Sequence, residues 1–170
     1  MEAAAEVRLG MGEEGAGGLA GKYLTFSLGN EDYGLGILKV REIIGVMEIT
    51  AVPHTPNYIK GVINLRGRVI PVLDLRLKFA MPPEEYDERT CIIVVEVQGR
   101  NGAVQVGMVV DSVSEVLNIS ADEIEPPPSL GASRDTSNIL GMAKVKGEVK
   151  ILLDIEQVVG EGVLNRFDEQ

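Results

Sequence analysis

Gly61-Val62-Ile63-Asn64-Leu65-Arg66-Gly67-Arg68-Val69-Ile70-Pro71-Val72-Leu73-Asp74-Leu75 decides how the chain is read. A glycine-bounded turn carries two arginines, and a run of branched apolar residues closing on an aspartate follows it. A second copy, Gly141-Met142-Ala143-Lys144-Val145-Lys146-Gly147-Glu148-Val149-Lys150-Ile151-Leu152-Leu153-Asp154-Ile155, aligns with the first without a gap at a constant offset of 80 residues. The shared pattern of glycines, valine and Leu-Asp is longer than an ordinary strand motif. The stretch is the signature of a unit that occurs twice.

Around it lie 170 residues, 45% hydrophobic, 25% charged and only 4% aromatic, with no Trp. A chain of this length buries enough surface for a good core. That core must be Val, Ile and Leu, which favours sheet over helix. A formal net charge of −10 opposes phosphate-backbone binding, which needs a basic face. A single Cys excludes an intrachain disulfide and fits a reducing compartment. No apolar run approaches the roughly 18 residues of a membrane helix. Glu2 and Glu6 at the start do not read as a secretory signal. The expectation is a cytoplasmic protein without direct membrane insertion.

Met1 to Gly21 holds six glycines and no sustained period, so it reads as a flexible tail, with a short helix over Glu2–Leu9 compatible with its start. From Lys22, Leu24, Phe26 and Leu28 alternate with polar residues. Past a Gly29–Asp32 turn, Tyr33, Leu35 and Ile37 alternate again, giving a β-hairpin. Val40-Arg41-Glu42-Ile43-Ile44 is a further strand. Pro53 and Pro56 then precede one helical turn at Asn57–Lys60. After the signature, Pro82-Pro83-Glu84-Glu85 is a connector. Cys91–Val97 and Val104–Val110 form a second hairpin across a turn at Gln98–Gly102. Val113-Ser114-Glu115-Val116-Leu117 echoes Val40–Ile44. Ser129–Asn138 is a polar insertion. Glycines at 160 and 162 weaken any helix near the end.

Five short strands per unit, with turn signals about every 8–12 residues, indicate small barrels. The fold class is all-β: two five-stranded barrels around a shared hydrophobic core, with one or two short helices. The expected division is a tail over 1–21, a single domain over 22–160 with subdomains at about 22–82 and 88–160, and a C-terminal tail over 161–170. Strand exchange between the subdomains stays open.

The search for chemistry finds no reactive constellation. His54, the one histidine, has no carboxylate at fixed spacing and reads as a loop residue. Cys91 opens a buried strand and reads as a small hydrophobe. One Cys and one His leave no zinc cluster. Asp74 and Asp154 occupy equivalent repeat positions, which suits a shared structural task such as accepting backbone N–H bonds. No phosphate-binding glycine motif occurs. Arg66 sits in the glycine-bounded turn, where its backbone is fixed and its side chain presented. Arginine is favoured at interface hot spots. Asn64 beside it braces the turn. The chain reads as a binding module without a cofactor or metal.

The signature resembles that of the CheW family of bacterial chemotaxis coupling proteins. The resemblance continues through Phe26-Ser27-Leu28-Gly29-Asn30-Glu31-Asp32-Tyr33-Gly34, Ile37-Leu38-Lys39-Val40-Arg41-Glu42-Ile43 and Gly107-Met108-Val109-Val110-Asp111-Ser112-Val113, and covers about Lys22 to Val159. It implies two SH3-like barrels, no catalysis, and an adaptor joining the cytoplasmic tips of methyl-accepting chemoreceptors to the regulatory domain of the histidine kinase CheA. It implies partner-binding positions at Val40, Glu42, Gly61, Arg66, Gly67, Cys91, Ile92, Gly107 and Val113. It also implies an apolar groove between the barrels, near Val40, Arg66 and Val113, for a receptor hairpin. The expected oligomeric state is a monomer or weak self-association. Competing readings are a CheV-like coupling portion, which would need a receiver domain the chain is too short to hold, an acidic double-barrel module of another signalling system, a nucleic-acid-binding barrel, and a hydrolase using His54 with Cys91.

Overall fold

The computed structural model of the chain describes residues 19–127 and 138–168. Its strands are β1 (Gly21–Leu28), β2 (Glu31–Gly36), β3 (Val40–Gly45), β4 (Ile59–Leu65), β5 (Arg68–Asp74), β6 (Cys91–Gly99), β7 (Gly102–Val110), β8 (Ser112–Ile119), β9 (Ile124–Glu125), β10 (Ile139–Val145) and β11 (Glu148–Leu153). Two helices accompany them, α1 (Leu75–Lys78) and α2 (Ile155–Asp168). The protein is mostly β, as the Val/Ile/Leu composition requires.

The strands form a six-stranded sheet ordered β8-β1-β2-β11-β10-β9 and a five-stranded sheet ordered β3-β6-β7-β5-β4. One compact unit joins the segment ending at Lys39 to Ser114–Val158. The other joins Val40–Val113 to the segment beginning at Val159. The expected subdomains at 22–82 and 88–160 do not coincide with these units. The cause is parallel pairing. β5 lies beside β7, with Val72 opposite Gly107, and β11 lies beside β2, with Leu152 opposite Gly34. Each signature hairpin therefore joins the antiparallel hairpin from the other half of the chain. Pro82–Glu85 is a connector inside a unit and not a boundary.

The ends of the five-stranded sheet are tied. The chain leaving β3 at one edge meets β4 at the other, where Thr50 N donates to Val62 O (2.8 Å) and Val62 N to Thr50 O (2.9 Å). In the six-stranded sheet the corresponding segment is β9, whose Glu125 pairs with Met142. Each unit has its own core cluster. One contains Ile63, Ile70, Val72, Ile92 and Val94, the other Tyr23, Ile119, Ile124, Ala143 and Leu152.

Smaller expectations also change. Asn57–Lys60 is not helical: Asn57 and Tyr58 form a turn and β4 begins at Ile59. The C-terminal tail expected over 161–170 is helical through Asp168, because a second helical segment of α2 follows a break at Gly160 (φ 80°, ψ 157°). That glycine ends the first segment, in keeping with its low helix propensity. The tail proposed for residues 1–21 ends where β1 starts, at Gly21. The helix expected over Glu2–Leu9 and most of the loop expected over Ser129–Asn138 lie outside the described residues.

Candidate functional site

The β4–β5 turn is built by its two central residues. Arg66 (φ 53°) and Gly67 (φ 88°) both lie in the left-handed region, as a two-residue hairpin turn matched to strand twist requires. Asn64 Oδ1 accepts a hydrogen bond from Gly67 N at 2.8 Å, bracing the turn as its composition suggested. Glycine adopts this conformation freely, whereas an arginine there carries a conformational cost. The strained residue is the one whose side chain makes the most specific contact in the region.

That contact is with Glu42 on β3. Arg66 donates from both terminal nitrogens, Nη1 to Oε2 at 3.0 Å and Nη2 to Oε1 at 2.5 Å. The bidentate geometry matches the planar guanidinium fork to a carboxylate. Arg66's hydrogen bonds hold Glu42 below the usual carboxylate range, and Glu42 raises Arg66 in turn. The pair is open to water, with the Arg66 side chain 69% exposed and that of Glu42 31%. It links the β4–β5 turn to β3, the far edge of the same sheet.

The register reveals a second relationship. Gly61 pairs with Val72, Val72 with Gly107, Gly107 with Val94, and Val94 with Glu42. Three predicted site residues thus occupy one transverse row across the five-stranded sheet, separated by buried valines. The other unit repeats the row as Gly141, Leu152, Gly34 and Thr25. There Thr25 Oγ1 donates to Glu115 O at 2.9 Å, so Glu115 holds the place of Glu42.

The row separates structural from exposed positions. Gly61 has φ 144°, and a Cβ there would stand 2.0 Å from Thr50 O. A Cβ at Gly107 would stand 2.8 Å from Ile92 Cγ2. Ile92 is fully buried. These three act within the fold. Val40, Cys91 and Val113 are half-buried on β3, β6 and β8, and Gly67 is exposed in the turn. Cys91 donates its thiol to Arg89 O at 3.3 Å. Sequence reasoning missed Val69, 69% exposed beside the turn, and Ile43 on the outer face of β3, 42% exposed. Both were assigned to strands by their branched side chains. Only the register shows which face they take.

Asp74 and Asp154 serve the structural task expected of them. Asp74 Oδ1 accepts from Leu77 N at 3.3 Å at the start of α1, and its Oδ2 from the Tyr86 hydroxyl at 2.9 Å. Asp154 Oδ1 accepts from Glu156 N at 3.2 Å and Gln157 N at 3.4 Å. Among the described residues no group of three or more His, Cys, Asp or Glu side chains is arranged to hold a metal ion, and no helix is long and apolar enough to cross a membrane.

Comparison with known proteins places this geometry in context. A family model described as "CheW-like domain" matches residues 22–162. Chemotaxis protein CheW of Klebsiella aerogenes is 44% identical over 138 residues, covering 81% of each chain. Chemotaxis protein CheW of Rhizobium meliloti is 35% identical over 135 residues, covering 79% of this chain and 84% of the relative. A crystal structure of scaffolding protein TtCheW from Thermoanaerobacter tengcongensis superposes with a TM-score of 0.73 at 37% identity, covering 82% of this chain and 92% of that one.

Proposed function

Because the chain belongs to the CheW-like domain family, we propose that it is a non-enzymatic chemotaxis adaptor that couples the cytoplasmic tips of methyl-accepting chemoreceptors to the regulatory domain of the histidine kinase CheA. The family membership carries this reading. The exposed, rigidly presented Arg66–Glu42 pair supports it, since a charged fork on a fixed turn suits recognition more than catalysis. In this reading the protein works in the cytoplasm, recruited to the membrane by its partners. It transmits receptor state by holding the partners in fixed geometry, through contacts that differ between kinase-on and kinase-off arrangements. Val40, Arg66 and Val113 are the receptor-facing candidates in this reading, and modest single contacts are strengthened by multivalency in an array. Gly67 and Cys91 complete the exposed or half-exposed candidates.

The test is capture of purified receptor cytoplasmic fragments and of the kinase by immobilised protein. Saturable capture of both supports the adaptor. Capture of neither, by a folded sample, overturns it.

A further inference from the structure

The repeat gives the chain two ways to assemble. Each half carries an antiparallel hairpin, β1–β2 or β6–β7, and a signature hairpin, β4–β5 or β10–β11. The signature hairpins are equivalent at an offset of 80 residues. The other two are equivalent at an offset of 73, which matches Gly34 with Gly107, Val40 with Val113 and Glu42 with Glu115. Both parallel junctions use the same register, Gly34 opposite Leu152 and Gly107 opposite Val72. Register therefore does not tell one signature hairpin from the other. Yet β2 lies beside β11 and β7 beside β5, so each hairpin takes its partner from the other half of the chain.

Charge tells them apart. Arg76 is the second residue of α1 and Glu156 the second of α2, equivalent positions of opposite sign. Arg76 donates through Nε and Nη2 to Asp111 Oδ1 and Oδ2, at 2.8 and 2.6 Å. Lys39 Nζ donates to Glu156 Oε2 at 3.1 Å. Asp111 and Lys39 stand where the chain crosses between sheets, from β7 to β8 and from β2 to β3. Lys150 on β11 repeats the rule. It donates to Asp32 on β2 at 2.8 Å, while the equivalent positions in the other unit hold Ile70 and Gln105.

Assembly within each half would exchange all three partners. Arg76 would take the place of Glu156 beside Lys39, and Glu156 that of Arg76 beside Asp111. Lys150 would face Gln105, and Ile70 would face Asp32. Two contacts become like-charged and the third loses its carboxylate. Burial decides how much each weighs. The Lys39–Glu156 contact is open to water, which screens it. The Arg76 side chain is 13% exposed and that of Lys150 10%. At nearly buried sites a like or unmatched charge costs far more than a lost surface pair.

We propose that these three charge contacts select the partner of each hairpin, holding the chain in its exchanged assembly and excluding assembly within each half. The proposal is independent of the adaptor reading.

Refolding of the full chain from denaturant, read by methyl NMR, tests it. Tyr23 and Leu152 share one core, whereas Val72 belongs to the other. Contacts from the Tyr23 ring to the Leu152 methyls therefore report the exchanged assembly, and contacts to the Val72 methyls report the alternative. A first variant combines Arg76→Glu, Glu156→Arg, Ile70→Lys and Lys150→Ile, trading the charges of the two signature segments. It should lose the Tyr23–Leu152 contacts, either to Tyr23–Val72 contacts or to an unfolded chain. A second variant adds Lys39→Glu, Asp111→Arg, Asp32→Gln and Gln105→Asp, moving the matching charges with them. It should regain the Tyr23–Leu152 contacts. Full retention of those contacts by the first variant overturns the proposal, because the short crossings alone would then set the assembly. So does a second variant that regains nothing the first has lost.

Discussion

Arg66 holds Glu42 through both terminal guanidinium nitrogens, at 3.0 and 2.5 Å, and thereby ties the β4–β5 turn to the opposite edge of its own sheet. The pair is exposed, so water screens it and it adds little to stability. A denaturation double-mutant cycle with Glu42→Ala and Arg66→Ala should give a coupling close to zero. Partner capture should respond more strongly. Arg66→Ala should weaken it about tenfold or more, the equivalent of one charge-assisted hydrogen bond. A large stability coupling would instead make the pair a structural clasp, with any binding loss secondary.

The glycine row predicts a different kind of defect. Gly61→Ala must displace Thr50, whose carbonyl would lie 2.0 Å from the new methyl, and it must hold alanine at φ 144°. It should cost at least about 3 kcal/mol by thermal or urea unfolding. Gly107→Ala pushes against Ile92 and should cost about 1–3 kcal/mol. Gly36→Ala, with open space around it, should change little. Lost partner capture in the first two variants should track lost folded protein. Normal stability together with lost capture would return Gly61 and Gly107 to the binding surface.

Much of this was legible in the sequence because its cause is local. The 80-residue repeat, the Asn64 brace and the matched aspartates all follow from residue types at fixed spacing; the alternation in β1 and β7 marks strands, but not half-buried ones, since Tyr23–Phe26 and Val106–Val110 are buried on both faces. The assignment of strands to sheets was not legible. Parallel pairing of β5 with β7 and of β2 with β11 joins segments far apart in the chain, and no local pattern in either strand names its partner. The same gap affected the site. Gly107 and Ile92 carry a functional signature in the motif, but their burial shows that they shape the sheet on which Glu42 stands. That Arg66 is already occupied by Glu42 depends on how the sheet curls, which a separation of 24 positions in the chain does not disclose.

Acid should act on the unit that contains β1 and β2 through Asp32. Lys150, nearly buried, donates to Asp32 Oδ2 at 2.8 Å and to Glu148 Oε1 at 3.0 Å. The hydrogen bond from Lys150, chiefly, holds Asp32 below its usual value. A depressed carboxylate adds stability that is present above its unfolded value of about 3.9 and is lost as pH falls through the lower folded value. Asp32→Asn should therefore cost about 1 kcal/mol at pH 7, a figure moderated by partial exposure. The gap from the parent should close between about pH 5 and pH 2. Chemical denaturation at stepped pH reads this directly. A gap that stays constant to pH 2 would remove Asp32 as its source.

The duplicated hairpins allow strain and recognition to be separated within one molecule. Lys146 (φ 54°) and Gly147 (φ 81°) lie in the same left-handed region as Arg66 (φ 53°) and Gly67 (φ 88°). Both non-glycine residues pay the left-handed penalty, on the order of 1 kcal/mol. Lys146→Gly should recover most of it and raise the melting temperature by about 2–4 °C for a chain of this size. Partner capture should be unaffected. Arg66→Gly relieves the same strain but deletes the fork that holds Glu42, so it should leave stability near neutral and abolish the tighter part of capture. Adding Lys146→Arg to the Arg66→Gly chain should not restore it, because Glu42 stands opposite only the first hairpin. If both glycine variants gained stability and both kept full capture, the strained arginine would have no recognition role, and the binding surface would have to be sought among Val69, Ile43 and the other exposed apolar residues of the sheet.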